Sequence, residues 1–393
     1  MAEWLKTALI DIVELIGGGT PKTSKAEYWD GNINWLSVKD FNNENRYVYS
    51  TEKTITEEGL NNSSTKLLKK DDIIISARGT VGELAMIPFP MAFNQSCYGI
   101  RAKKGIDSIF LYYLIKNSVR KLKAITHGSV FDTITRDTFA NIEVAIPDIK
   151  TQHRIAKMLA DIDDKVENNQ RINNNLEQQA QAYFDELFVV NADPNWSECT
   201  LSDIGSVVAG GTPSKSKPDY YADQGIAWIT PKDLSVNKSK FISHGENDIS
   251  ELGFSKSSAA KMPAGTILFS SRAPIGYIAI AQNEITTNQG FKSVIPHENI
   301  STAYMYFLLK NLLPTIEGMA SGSTFKEISG TAMKSVPTVM PDADTIQLFS
   351  SFCEPVFKEQ EILEAENQCL SALRDSLLPK LMSGELDVSN IDL

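Results

Sequence analysis

Residues 151–190, TQHRIAKMLADIDDKVENNQRINNNLEQQAQAYFDELFVV, decide how the chain is read. Ile155, Leu159, Ile162, Val166, Asn169, Asn173, Leu176, Ala180, Tyr183 and Leu187 are spaced four, three, four, three. Such a rhythm is a heptad seam, with Asn169 and Asn173 as its polar members. At 1.5 Å per residue the helix spans roughly 55 Å, too long to be buried in one small domain. It needs a partner, and residues 345–384 offer one. There Phe349, Phe352, Val356, Leu363, Leu370, Leu373, Leu377 and Leu381 keep a similar rhythm, weaker at Glu359 and Glu366. Pro355 predicts a kink or a fresh start, and hence a second helix shorter than the first.

The rest of the chain is one unit written twice. Gly18-Gly19-Thr20-Pro21 recurs as Gly210-Gly211-Thr212-Pro213, and Ile33-Asn34-Trp35 as Ile226-Ala227-Trp228. Lys39-Asp40 returns as Lys232-Asp233, and Ser76-Ala77-Arg78 with Gly82 as Ser270-Ser271-Arg272 with Gly276. Asn94-Gln95 returns as Asn288-Gln289, and Gly128-Ser129 with Phe131 as Gly322-Ser323 with Phe325. The offset stays between 192 and 194 residues, the mark of a tandem duplication. Residues 41–70 and 234–262 align poorly inside this common frame, so one scaffold carries two different faces.

Each copy reads as mixed α and β. Ile33–Val38 and Asp72–Ser76 suit strands, and Gly79–Gly82 suits a tight turn into a second hairpin strand, Leu84–Ile87. Ile109–Lys123 reads as a helix capped by Asp107 or Ser108, matched by Tyr304–Leu313 after Ser301. The domain plan is 1–150, a helix over 151–190, a second copy over 191–344, and a closing helix and tail over 345–393.

The 393 residues are 42% hydrophobic and 22% charged, ordinary for a globular protein. No stretch approaches a membrane span, and no secretory leader is evident. Cys97, Cys199, Cys353 and Cys369 are scattered, forming neither a disulfide framework nor a zinc site, which fits a reducing cytoplasm. The net charge of −11 is uneven: 151–190 carries −3 and 345–393 carries −6, leaving −2 elsewhere. Acidic helices would stay off a phosphate backbone, and any contact with nucleic acid would fall to the near-neutral copies.

No active site is legible. His127, His153, His244 and His297 stand apart from cysteines and carboxylates at ligand spacing. Phosphate-binding, dinucleotide and nucleophile-elbow motifs are absent, as is the Asn/Asp-Pro-Pro-aromatic tetrapeptide of amino-methyltransferases. Asp71-Asp72 reads as a solvated pair at a strand edge.

The repeated loops are candidates for recognition. Gly19, Thr20 and Pro21, with Lys22 and Lys25, and Gly211, Thr212 and Pro213, with Lys215 and Lys217, place backbone amides beside lysines, which suits phosphate. A rigid turn would also explain Gly and Pro. Arg78 and Arg272, between strand and turn, could reach a phosphate or a guanine edge, or close a structural salt bridge. Asn94-Gln95 and Asn288-Gln289 offer amides for adenine or backbone, or for a β-turn. Gly128-Ser129 and Gly322-Ser323 form a third small loop.

These motifs together resemble the specificity subunit of Type I restriction-modification systems, a bacterial and archaeal defence. The segment Leu377-Leu378-Pro379-Lys380-Leu381-Met382-Ser383-Gly384-Glu385-Leu386 resembles that family's C-terminal signature. The resemblance implies an α+β fold: two tandem target-recognition domains with pseudo-twofold symmetry, joined by two long antiparallel coiled-coil helices. It implies a non-catalytic subunit that reads an interrupted, asymmetric double-stranded DNA site, one half per domain. The helices would serve as ruler and dock for two methyltransferase subunits, which bring S-adenosylmethionine and adenine-N6 chemistry. Restriction subunits would add ATP- and Mg-dependent translocation. The chain itself needs no cofactor on this view. A two-domain protein adaptor that touches no nucleic acid is the competing class.

Overall fold

A computed structural model describes all residues except 1–3, 44, 126–132, 273, 323–325, 389–390 and 392–393. The chain divides into two compact units, Met1–Asn168 with Asn367–Leu393, and Asn169–Glu366. Each unit therefore takes one copy of the repeat and part of both long helices.

In the first unit a four-stranded sheet runs in the order Val13–Gly17, Cys97–Ala102, Ile73–Ser76, Leu84–Met86. The last two strands are the expected hairpin, with Ile73 opposite Met86 and Ile75 opposite Leu84. A second sheet joins Lys53–Ile55, Trp29–Leu36 and Ala92–Phe93. The helix Ser108–Ile125 is capped by Asp107, whose Oδ1 accepts the Phe110 N–H at 2.7 Å. Its Phe110, Leu111 and Tyr113 close over Ile73, Ile75 and Ile100 of the sheet. Ile155 and Leu159 of the first long helix complete this core with Leu378, Leu381 and Met382 of the second.

The second unit repeats the plan. Gly205–Ala209, Lys292–Pro296, Ile267–Ser271, Ile275–Ala281 and Phe241–Ile242 form one sheet. Tyr221–Ala222, Asn247–Ile249, Ile226–Ile229 and Thr286–Thr287 form the other. Ser301 caps the helix Thr302–Asn311 through the Tyr304 N–H at 3.1 Å. Ala180 and Phe184 of the first long helix, Phe188 of the π-helical turn Glu186–Val190 that follows it, and Phe349, Cys353 and Val356 of the second long helix seal the core.

Both long helices are continuous, Ile149–Asp185 over 37 residues and Ala343–Met382 over 40. The fresh start at Pro355 does not occur, and the second helix is the longer. Proline removes one N–H, but Cys353 and Val356 on either side are buried in the core and hold the turn. The second seam keeps Phe349, Val356, Leu363 and Leu381 buried as expected, but its alternate members differ: Phe352 and Leu373 are exposed, whereas Cys353, Gln360, Arg374 and Leu378 are buried. Polar seam members disguise the heptad. Within each unit the helices run antiparallel. Asp163 meets Arg374 at 2.9 Å in the first; in the second, Asn169 Nδ2 donates to Glu366 at 2.7 Å and Gln360 Nε2 to the Asn173 carbonyl at 3.1 Å.

Asp72 also departs from the solvated reading. It is buried and forked by Arg101, with Nε to Oδ1 at 2.9 Å and Nη2 to Oδ2 at 2.6 Å. The stretch Leu377–Leu386 is built for packing: Leu378, Leu381 and Met382 enter the core, and Gly384 turns the chain at φ +74° against Trp4.

Candidate nucleic-acid interface

The Gly-Gly-Thr-Pro loop, the repeated tryptophan and the Asn-Gln turn converge in each copy. The indole Nε1 of Trp35 donates to the Gly19 carbonyl at 3.0 Å, and that of Trp228 to the Gly211 carbonyl at 3.0 Å. The Gly19 N–H donates to the Phe93 carbonyl at 2.9 Å, and the Gly211 N–H to the Thr287 carbonyl at 2.8 Å. These amides are committed within the fold, so the loop cannot cradle phosphate with them. A Cβ at Gly19 would lie 2.2 Å from Ser64 Oγ, and one at Gly211 2.4 Å from the Ala259 nitrogen, so close packing requires both glycines. Pro21 and Pro213 are buried.

The asparagines serve the turn. Asn94 Oδ1 accepts the Ser96 N–H at 3.0 Å, and Asn288 Oδ1 the Gly290 N–H at 2.8 Å. The glutamines face outward. Thr20 donates to Gln95 Oε1 and Thr212 to Gln289 Oε1, which turns each exposed Nε2 amide toward solvent as a donor.

In the second copy these groups line an open cleft of about 890 Å³. Thr212, Lys215, Arg272, Asn288 and Gln289 share it with Tyr221, Trp228, Lys232, Asn247 and Tyr277. The structure thus brings together five of the residues singled out from sequence. Lys217, Lys22 and Lys25 are exposed, and Lys25 pairs with Glu27 at 3.1 Å. The Arg78 guanidinium is exposed and has no ion pair among the described residues. Arg272 lies 3.4 Å from Glu327. Gly322, exposed at φ +122°, is described, whereas Gly128, Ser129 and Ser323 lie outside the described residues.

Sequence reading passed over the contribution of Lys39-Asp40 and Lys232-Asp233. The aspartates are structural: Asp40 Oδ2 accepts from Ser37 N at 2.7 Å and Asp233 Oδ2 from Thr230 N at 2.7 Å, while their Oδ1 atoms hold the Glu52 and Glu246 amides. The lysines are left exposed, and Lys232 lines the cleft. The strict recurrence of the pair was the available signal.

Nothing in the cleft resembles a catalytic constellation. Among the described residues no group of three His, Cys, Asp or Glu side chains could hold a metal ion. His153 lies 3.5 Å from Asp107, His244 3.3 Å from Asp248, and His297 accepts or donates to Ser206 at 3.0 Å. Burial pushes the Cys97 and Cys353 thiols up to about 12, so neither is a nucleophile.

The family model described as "Type I restriction modification DNA specificity domain" matches residues 1–178 and again 194–371. The chain belongs to this family. The members of this specificity family that it is similar to include the Type I restriction enzyme MjaIX specificity subunit of Methanocaldococcus jannaschii. That relative is 28% identical over 417 aligned positions, covering 99% of this chain and 95% of the relative. The HindI specificity subunit of Haemophilus influenzae is 25% identical over 358 positions, covering 71% and 77%. The fold is shared with the crystal structure of a Type I restriction-modification S subunit from M. genitalium, at TM-score 0.59, 18% identity and coverage of 97% and 96%. The expected specificity-subunit fold is therefore the observed one. No helix of the described residues is long and apolar enough to cross a membrane.

Proposed function

We propose that the chain reads an interrupted, asymmetric double-stranded DNA site, one half-site per copy, and directs adenine-N6 methylation and cleavage carried out by partner subunits. The observation that carries this reading is the repeated frame of loop, tryptophan and turn. Tryptophan, glycine loop and Asn-Gln turn keep the same hydrogen bonds in both copies, while the side chains around them differ. A constant frame with two different faces suits two different half-sites. Exposed lysines, an arginine and an outward amide donor supply phosphate and base-edge chemistry.

On this reading two methyltransferase subunits supply S-adenosylmethionine, and restriction subunits supply ATP- and Mg-dependent translocation. The chain contributes recognition and docking, with no reaction step of its own. Its acidic long helices face the partners rather than the duplex.

Deleting the gene in its host and mapping modified adenines tests this. An interrupted motif should lose modification and regain it when the intact gene is restored. Purified chain incubated with DNA and S-adenosylmethionine should leave adenines unmodified; methylation by the chain alone would refute the non-catalytic role. An unchanged methylome after deletion would refute the recognition role.

A further inference from the structure

We propose that Asn247 in the second copy and Lys53 in the first are base-reading side chains, one station filled with different chemistry in each copy. The proposal rests on the DNA-recognition reading above and names where its discrimination sits.

The two divergent segments hide a common skeleton. Lys53–Ile55 and Asn247–Ile249 are strands, followed by the short helices Glu57–Asn61 and Glu251–Ser255. Thr56 caps one through the Gly59 N–H at 3.0 Å, and Ser250 the other through the Gly253 N–H at 3.0 Å. Strand register is identical: Lys53 stands opposite Trp35, and Asn247 opposite Trp228. Each tryptophan is buried and locked by its indole bond to the glycine loop. The station is therefore held by a strand and a fixed ring, which is how a reader must be held.

Of residues 234–262, the cleft is reached by Ser235, Glu246 and Asn247. Ser235 Oγ donates to the Lys232 carbonyl at 2.7 Å, and Glu246 holds the Lys232 ammonium at 2.6 Å. Asn247 is exposed, and its amide has no partner among the described residues. Lys53 is likewise exposed, its ammonium 5.8 Å from the Trp29 ring centre.

An asparagine amide presents a donor and an acceptor side by side, matching N7 and N6 of adenine. A lysine presents donors only, matching O6 and N7 of guanine. The same station thus asks for adenine in one half-site and guanine in the other.

The test replaces the host gene with Asn247→Lys, Asn247→Ala or Lys53→Asn and maps modified adenines by single-molecule sequencing. Asn247→Lys moves one position of one half-site from adenine toward guanine by about tenfold or more, and the other half-site stays. Asn247→Ala relaxes that position, and Lys53→Asn makes the reverse change in the other half. An unaltered motif at unaltered occupancy in all three overturns the proposal. So does loss of all modification by variants that melt as the parent does, since that pattern belongs to a phosphate contact. Deletion of the gene with no change in the methylome would instead overturn the recognition reading itself.

Discussion

Arg78 and Arg272 occupy one place in the two copies, yet their surroundings predict unequal roles in binding DNA. The backbone of Arg78 bridges to Thr133, and that of Arg272 to Glu327. Glu327 Oε2 lies 3.4 Å from Arg272 Nη1, and its Oε1 lies 3.9 Å from Lys292 Nζ. At 3.4 Å the pair attracts by about 1 kcal/mol in bulk water and about 5 at an effective dielectric of 20. Arg272 and Glu327 are 39% and 40% exposed, so screening brings the net worth to about 0–1 kcal/mol. A phosphate that takes Arg272 must replace this pair; one that takes Arg78 displaces no ion pair among the described residues. In the assembled complex Arg78→Ala should therefore weaken binding by about tenfold, within the 1–3 kcal/mol of a good contact, and flatten the slope of log K against log salt by about 0.9. Arg272→Ala should cost a few-fold less. Glu327→Thr should tighten binding by up to about fivefold, and Thr133→Glu should weaken it similarly. Fluorescence anisotropy on a duplex bearing the methylome-defined site, between 50 and 300 mM salt, roughly the range in which counterion release dominates, reads all four. Equal losses for both arginines with an unchanged slope would refute the phosphate assignment, as would weaker binding by Glu327→Thr.

Three further outcomes follow from the packing. Arg374 and Asp163 are both almost fully buried at 2.9 Å, so Arg374→Met leaves Asp163 held by the Tyr113 hydroxyl at 2.6 Å and should destabilise the first unit by about 3–5 kcal/mol in urea unfolding; a loss under 1 kcal/mol would show the pair to be dispensable. Burial raises the Glu177 carboxyl, but Lys240 and Lys310 outweigh it and leave its pKa lowered, so its stabilisation is present above pH 4.5 and lost as pH falls through the lowered value; Glu177→Gln should flatten that acid limb of thermal stability, and an unchanged profile would contradict the assignment. Cys369 is exposed whereas Cys97 and Cys353 are buried with thiols near 12, so a thiol reagent at pH 8 should label Cys369 in the folded chain and reach the buried pair on unfolding, as peptide mass mapping would show.

The duplication, the strand and helix order of each copy, and the long helices were legible in the sequence because they rest on periodicity and recurrence. The first seam was readable because its apolar members are regular. The second was read correctly at Phe349, Val356, Leu363 and Leu381 but one residue off between them, because Gln360 and Arg374, both buried, occupy positions a hydrophobic pattern expects to be leucine. At Pro355 the helix makes no fresh start for a related reason: local chemistry favours an interruption, and core contacts on either side carry the helix through it. Of the candidate site, the recurring residues were found, but their division of labour was not. Glycine amides and asparagine side chains are consumed by the turn, and only hydrogen-bond partners in space reveal it. The strands Lys53–Ile55 and Asn247–Ile249 escaped alignment because their register is set by Trp35 and Trp228, outside the divergent segments.

The same geometry explains how the divergent segments can vary without loosening the copies. Each contributes one cation to a buried polar node on the long helices. Arg46 is 6% exposed, pairs with Asp164 and lies 3.5 Å from the Tyr113 hydroxyl, which donates to Asp163 at 2.6 Å. Lys240, 194 residues on and 7% exposed, pairs with Glu177 and donates to Gln360 Oε1 at 2.7 Å, with the Phe357 ring centre 4.1 Å away. Burial lowers the Lys240 pKa, and the Glu177 carboxylate beside it pulls in the opposite direction. Such nodes contribute little net stability, because desolvation cancels much of the attraction. Their value lies in direction. A buried cation tolerates one geometry, so it fixes where the divergent segment meets the helices, while the strand that follows is free to change the exposed side chain it presents beside the tryptophan. Register comes from the tryptophan and the cation, and identity at positions 53 and 247 is left free to vary, as the proposed reading of two half-sites requires.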